Sequence, residues 1–286
     1  MKIEIQENNK EKDIENLKNL ILTNKQYSEH PFANQKEQKS YVVEVTDGNK
    51  KIVFFGSAHI NNPENPLFTE IDEKFKETKP EIVFLEGMES INHNKKVVTE
   101  KLQKEDKEAT KLVSEGYFAL KLTVDAGIDF ECPEPSGSSE VEYLLNSGFS
   151  KKDIFTFYIY RDIDQYQRQH KEWSKEECIE YLKPFFKMFH KNSGWDNNEL
   201  TIFEQELIDT IDINNKTLYH YQVDPTPWNN TEQTIINEIS RSSSSFRDRC
   251  IFEKIAEGLK KYERLFIVYG SKHAVTQEPA IRALLS

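Results

Sequence analysis

The chain is short of the features that most readily announce a function. No run approaches the ~20 consecutive apolar residues of a membrane helix, so nothing in it reads as a membrane span. The opening stretch, MKIEIQENNKEKDIENLKNL, lacks the apolar core of a secretory signal. Positive charge is scarce: 38 Lys and Arg stand against 49 Asp and Glu, for a net charge of −11 and a pI near 5.3. That balance argues against a nucleic-acid or membrane-surface partner. The three cysteines, Cys132, Cys178 and Cys250, are far apart and form no CxxC pair. A disulfide framework or zinc ribbon is thereby disfavoured, and buried reduced thiols in a cytoplasmic protein are expected. There is no GxSxG elbow, which argues against a serine-hydrolase triad.

What is present argues for a folded chain. Mean hydropathy is low at −0.72, but the chain holds 18 Phe and 12 Tyr, and disordered chains are poor in aromatics. A length of 286 residues allows one large domain or two small ones.

The pattern along the chain predicts an α/β fold: a mixed, largely parallel central sheet flanked by helices, with a helical insertion or cap. Residues 1–40 read as an N-terminal helix or arm, with Ile14, Leu17 and Ile21 at helical spacing. Residues 41–137 and 246–286 read as the sheet domain. Tyr41–Val45 and Ile52–Phe55 flank an Asp47-Gly48 turn signal, the mark of a hairpin. Helices and short apolar strands then alternate, with strands at 82–87, after Gly127 and at 265–270. One helix is expected within 96–126, with Val113, Tyr117, Leu120 and Val124 on one face. Residues 138–245 read as an all-helical insertion whose aromatic stripes at 155–166 and 185–189 form its core. The run SRSSSS at 240–245 reads as a flexible connector before a helix over about 246–262. A short helix over about 276–285 ends the chain.

Two segments repeat one pattern: IVFFGSAH at 52–59 and FIVYGSKH at 266–273, each an apolar strand followed by Gly-Ser-x-His. In an open parallel sheet, ligands bind outside the carboxyl ends of the strands. His59 and His273 are therefore expected on one rim. Glu86 follows the strand 82–85, and Glu134 follows the strand near 130, so both carboxylates are expected on the same edge. Arg247 precedes Ile251 and Ile255 by four and eight residues and shares their inward stripe. It is placed to grip a carboxylate or an oxyanion. Asp248 beside it would orient Arg247 or a histidine.

At these residues the sequence resembles the TraB/TIKI family, within the wider group related to erythromycin esterase and the haem-binding ChaN proteins. The resemblance rests on the paired Gly-x-x-His motifs at Gly56–His59 and Gly270–His273, on Glu86, and on Arg247-Asp248 before the second motif. It covers roughly 41–135 and 246–286. Ser57 stands where many members have Thr, and the export signal and membrane anchor of the animal members have no counterpart here.

The resemblance implies a metal-dependent hydrolase of peptide or ester bonds acting on a small-molecule or peptide substrate. His59, Glu86 and His273 would hold one divalent transition metal; Mn, Co, Zn or Fe suits such a His/carboxylate set. Glu86, Glu134, Arg247 and Asp248 are the candidate catalytic groups, with Glu134 as general base. The same rim on a protein without catalysis would serve as a haem- or metal-binding site, or the fold as an interaction module. Oligomeric state is not legible in the sequence.

Overall fold

The structure, a computed structural model, describes residues 14–35, 39–59, 62–87, 89–169, 174–212, 218–226 and 233–286. The part of the expected N-terminal helix or arm before residue 14 lies outside these residues.

Five strands form one mixed sheet in the order β1-β2-β5-β3-β4. They are β1 (Tyr41–Asp47), β2 (Lys50–Ser57), β3 (Ile82–Leu85), β4 (Asp129–Glu131) and β5 (Arg264–Gly270). β1 pairs antiparallel with β2, and every other neighbouring pair is parallel. The fold is thus α/β with a mostly parallel sheet and flanking helices. β2, β3 and β5 read as unbroken apolar runs because both faces of a parallel sheet are covered.

The strand residues alternate between two cores. Val53, Phe55, Val83, Leu85, Phe266 and Val268 face one side, packing with the helices Leu67–Thr78 and Glu115–Asp125. Ile52, Phe54, Ile82, Phe84, Leu265, Ile267 and Tyr269 face the other, with Ile251, Ile255 and Ile281 from the helices Ile235–Gly258 and Ser271–Leu284. Each large apolar side chain buried this way contributes about 1.5–3 kcal/mol. Ile14, Leu17 and Ile21 pack against the second core.

The chain divides into two compact units, Met1–Pro135 with Arg247–Ser286, and Ser136–Phe246. The first holds the sheet. In the second, every regular element among the described residues is a helix, and Phe155, Ile159, Ile163, Phe186 and Phe189 build its core. Among the described residues no helix is long and apolar enough to cross a membrane.

Four local expectations are corrected. The expected flexible serine run lies inside the 24-residue helix Ile235–Gly258. Its inward serines are hydrogen-bonded rather than loose: the Ser240 hydroxyl donates to the Val223 carbonyl and the Ser243 hydroxyl to Glu140. That helix starts earlier and ends sooner than the expected 246–262.

The stretch 96–126 is three helices, Glu89–Leu102, Lys107–Lys111 and Glu115–Asp125. Asp106 and Ser114 cap the second and third by accepting from the backbone N–H of Glu108 and Tyr117. Val113 falls in the break and is exposed. The last helix begins at Ser271 instead of near 276, so His273 sits in its first turn.

Candidate functional site

Parallel pairing of β2, β5, β3 and β4 brings their carboxyl ends to one edge of the sheet. Ser57 is in register with Gly270, and Leu85 with Val268. His59 therefore emerges beyond β2, Glu86 beyond β3 and Glu134 beyond β4, while His273 follows β5. All six residues predicted from the sequence lie in the sheet-bearing unit, and the structure gathers them around Glu86.

Glu86 is the hub. Its Oε2 accepts the backbone N–H of Gly270 at 2.5 Å and lies 4.0 Å from His59 Nε2. Its Oε1 lies 3.6 Å from His273 Nε2 and 3.9 Å from an Arg247 nitrogen. Burial pushes the Glu86 carboxyl up. The charges of His273, His59 and Arg247, with the Gly270 N–H, more than reverse this and hold it below the usual carboxylate range.

His273 is buried and anchored from behind. Its Nδ1 lies 2.7 Å from Asp248 Oδ1, and Gln277 Nε2 donates to the same oxygen at 3.0 Å. Asp248 is 3% exposed. Its burial is offset by the charge and hydrogen bond of His273, by Lys272 and by the Gln277 amide, so the carboxyl stays below its usual range. With Asp248 on Nδ1, the other ring nitrogen is left facing Glu86. Asp248 serves His273, the second of its two expected roles.

Arg247 donates to Glu134 Oε1 at 2.6 Å, and the Gly87 N–H donates to the same oxygen at 3.3 Å. Glu134 thus holds the guanidinium; this oxygen is not available as the proton acceptor expected of Glu134.

His59 differs from His273. Its side chain is 65% exposed and its backbone is left-handed at φ +50°, a conformation costing a non-glycine residue about 1–2 kcal/mol. The two motifs are packed into each other. A Cβ on Gly270 would stand 2.6 Å from His59 Nε2, and a Cβ on Gly56 would stand 2.7 Å from Ala274 Cβ and 2.8 Å from Ser271 Cα. At 56 the approach is to backbone and requires glycine; at 270 glycine is what leaves the His59 ring its place.

Three further residues were not singled out from the sequence. Glu115 opens the helix Glu115–Asp125, is 5% exposed, and has its Oε2 4.0 Å from His59 Nδ1. A helix dipole contributes about 0.3–1 kcal/mol to such an acid, whereas burying a charge costs several kcal/mol per ion. The dipole therefore does not account for its burial. Phe118, Ala119 and Leu122, three, four and seven residues on, are apolar in the sequence and buried in the fold, so Glu115 heads an inward stripe. Gln277, one helical turn after His273, is likewise buried. Tyr269 precedes the second motif; its ring meets His273 edge-on at 5.7 Å. Burial, with the negative charges of Glu134, Cys132 and Glu86, pushes its phenol well above the usual value.

Among the described residues, no three His, Cys, Asp or Glu side chains are drawn closely enough together to be a ready metal site. Comparisons with protein-family models, with curated proteins and with solved structures return no match.

Proposed function

We propose that the chain is a metal-dependent hydrolase of peptide or ester bonds, acting on a small molecule or peptide at the carboxyl edge of the sheet. One observation carries this reading: each oxygen of the Glu86 carboxylate faces the Nε2 of a different Gly-x-x-His histidine, at 4.0 and 3.6 Å. The resemblance to TraB/TIKI proteins agrees with it.

The donor set suits a divalent transition ion. His273 has its Nδ1 against a buried carboxylate, the arrangement that orients a metal-binding imidazole. The two His–Glu86 separations, 4.0 and 3.6 Å, are slightly wider than the about 3–3.5 Å expected for ligands bonded at about 2.0–2.2 Å. His59 is the most exposed of the three and the freest to close that gap. His59, Glu86 and His273 are the residues that would hold the ion. When bound, it would lower the pKa of water towards neutrality and polarise a carbonyl.

The chain's own groups then divide the work. Asp248 keeps the His273 Nε2 lone pair turned to the site. Glu86, ionised, accepts a proton from attacking water. Arg247, held by Glu134, stabilises the charge that develops on the substrate carbonyl oxygen. The leaving amine or alkoxide takes a proton back as the acyl bond breaks. The thiols of Cys132, Cys178 and Cys250 fit a reducing compartment, so a cytoplasmic setting is part of the proposal.

Metal analysis of protein purified without chelator tests the assignment. Near-stoichiometric Mn, Co, Zn or Fe, lost in a folded His59→Ala/His273→Ala double variant, is expected. A metal-free wild type that also fails to take up any of these ions when they are supplied contradicts it.

A further inference from the structure

We propose that Glu115 is a positioning residue for His59, fixing the orientation and tautomer of its ring as Asp248 does for His273. Each imidazole presents Nε2 to Glu86 and turns Nδ1 towards a buried carboxylate: His273 to Asp248 at 2.7 Å and His59 to Glu115 at 4.0 Å. The five side chains form one alternating series, Asp248, His273, Glu86, His59, Glu115.

The two halves differ in how tightly they are closed. Asp248–His273 is a formed hydrogen bond between buried groups. Glu115–His59 is open by about an ångström relative to a hydrogen bond, and His59 is the exposed member. Three features converge on its ring: the left-handed backbone at 59, the bare Cα of Gly270 beneath Nε2, and the Glu115 carboxylate behind Nδ1. Both ring nitrogens have a carboxylate oxygen at 4.0 Å, but Glu86 Oε2 already accepts the Gly270 N–H, so the neutral ring is expected to carry its proton on Nδ1, towards Glu115. The importance of this for catalysis rests on the hydrolase reading; the ring geometry does not.

Side-chain ¹⁵N–¹H correlation spectra of the metal-free protein at about pH 9, well above the ordinary imidazole pKa of about 6.5, read the tautomer directly. The His59 signal is assigned by its loss in His59→Gln. Wild type is expected to show His59 with its proton on Nδ1. Glu115→Met is expected to shift it towards the Nε2-protonated form and to weaken cobalt(II) binding about 10–100-fold. Glu115→Gln, which keeps an acceptor oxygen, is expected to restore part of both. Wild-type His59 with its proton on Nε2 overturns the proposal, as does Glu115→Met with either the wild-type tautomer or the wild-type cobalt affinity. If Glu115→Met does not fold, the wild-type spectrum decides. A chain with the Nδ1-protonated ring that hydrolyses nothing removes the hydrolase reading and leaves this one standing.

Discussion

His59 Nε2 lies 2.6 Å from the point where a Cβ on residue 270 would stand, so the glycine of the second motif is the floor under the histidine of the first. The converse contact places Gly56 against the backbone of Ser271. The repeated motif is therefore two halves of one packed unit, closed around Glu86.

The two glycines should respond differently to alanine. At Gly270 the added methyl meets the end of an exposed side chain, which can swing away. Gly270→Ala should cost less than about 1 kcal/mol in stability yet displace His59 and lower metal affinity and turnover. At Gly56 the methyl meets the Tyr41 carbonyl and the Ser271 Cα, which cannot move cheaply. Gly56→Ala should cost about 1–3 kcal/mol or more. Denaturant melts together with cobalt titration separate the two.

Asp248 should matter to both fold and function. Asp248→Ala leaves His273 and Gln277 without their buried acceptor and should destabilise by about 3–5 kcal/mol. Asp248→Asn keeps an acceptor oxygen and should fold, with metal affinity or turnover reduced about 10–100-fold. Wild-type values for Asp248→Asn would show that His273 needs no carboxylate behind it.

The serine run supplies a test of the helix that crosses it. Ser243 is 3% exposed and its hydroxyl holds the buried Glu140. Ser243→Ala should cost about 1–3 kcal/mol by leaving that carboxylate short of a partner. Ser245 is exposed within the same helix, so Ser245→Ala should be neutral or stabilise by a few tenths of a kcal/mol. Equal, negligible effects at both positions would mean a loose connector instead.

Much of the sheet and its rim was readable because the signals were local. Ile52–Phe55, Ile82–Leu85 and Leu265–Tyr269 are continuous apolar runs of the kind only a two-sided core needs. Gly56 and Gly270 marked the strand ends that carry the histidines. The serine helix was not readable, because serine's preference for turns is overridden by partners as distant in sequence as Glu140 and Val223. Glu115 escaped for a similar reason: an acid after a capping serine looks like dipole compensation until the fold shows its burial beside His59. Glu134 was seen, but its pairing with Arg247 belongs to residues 113 apart.

Asp162 predicts a pH dependence in the helical unit. Burial pushes its carboxyl up to about 7, against the opposing charge of Arg161. A raised carboxyl binds its proton more tightly when folded. Stability from this group is therefore present below about pH 4 and falls as pH rises towards 7. Asp162→Asn should remove that slope, raising stability at pH 8 by about 1–3 kcal/mol with little effect at pH 4. An unchanged pH profile of the variant's unfolding would contradict this.

The most direct test of a single hydrolytic centre at Glu86 is turnover of an ester and peptide panel by wild type and Glu86→Gln, with transition metal supplied and melting temperature followed in parallel. The account predicts measurable wild-type hydrolysis, a fall of at least about 100-fold in the variant, and nearly unchanged melting. Wild-type turnover by Glu86→Gln, or no hydrolysis of any panel member by metal-loaded wild type, would contradict it.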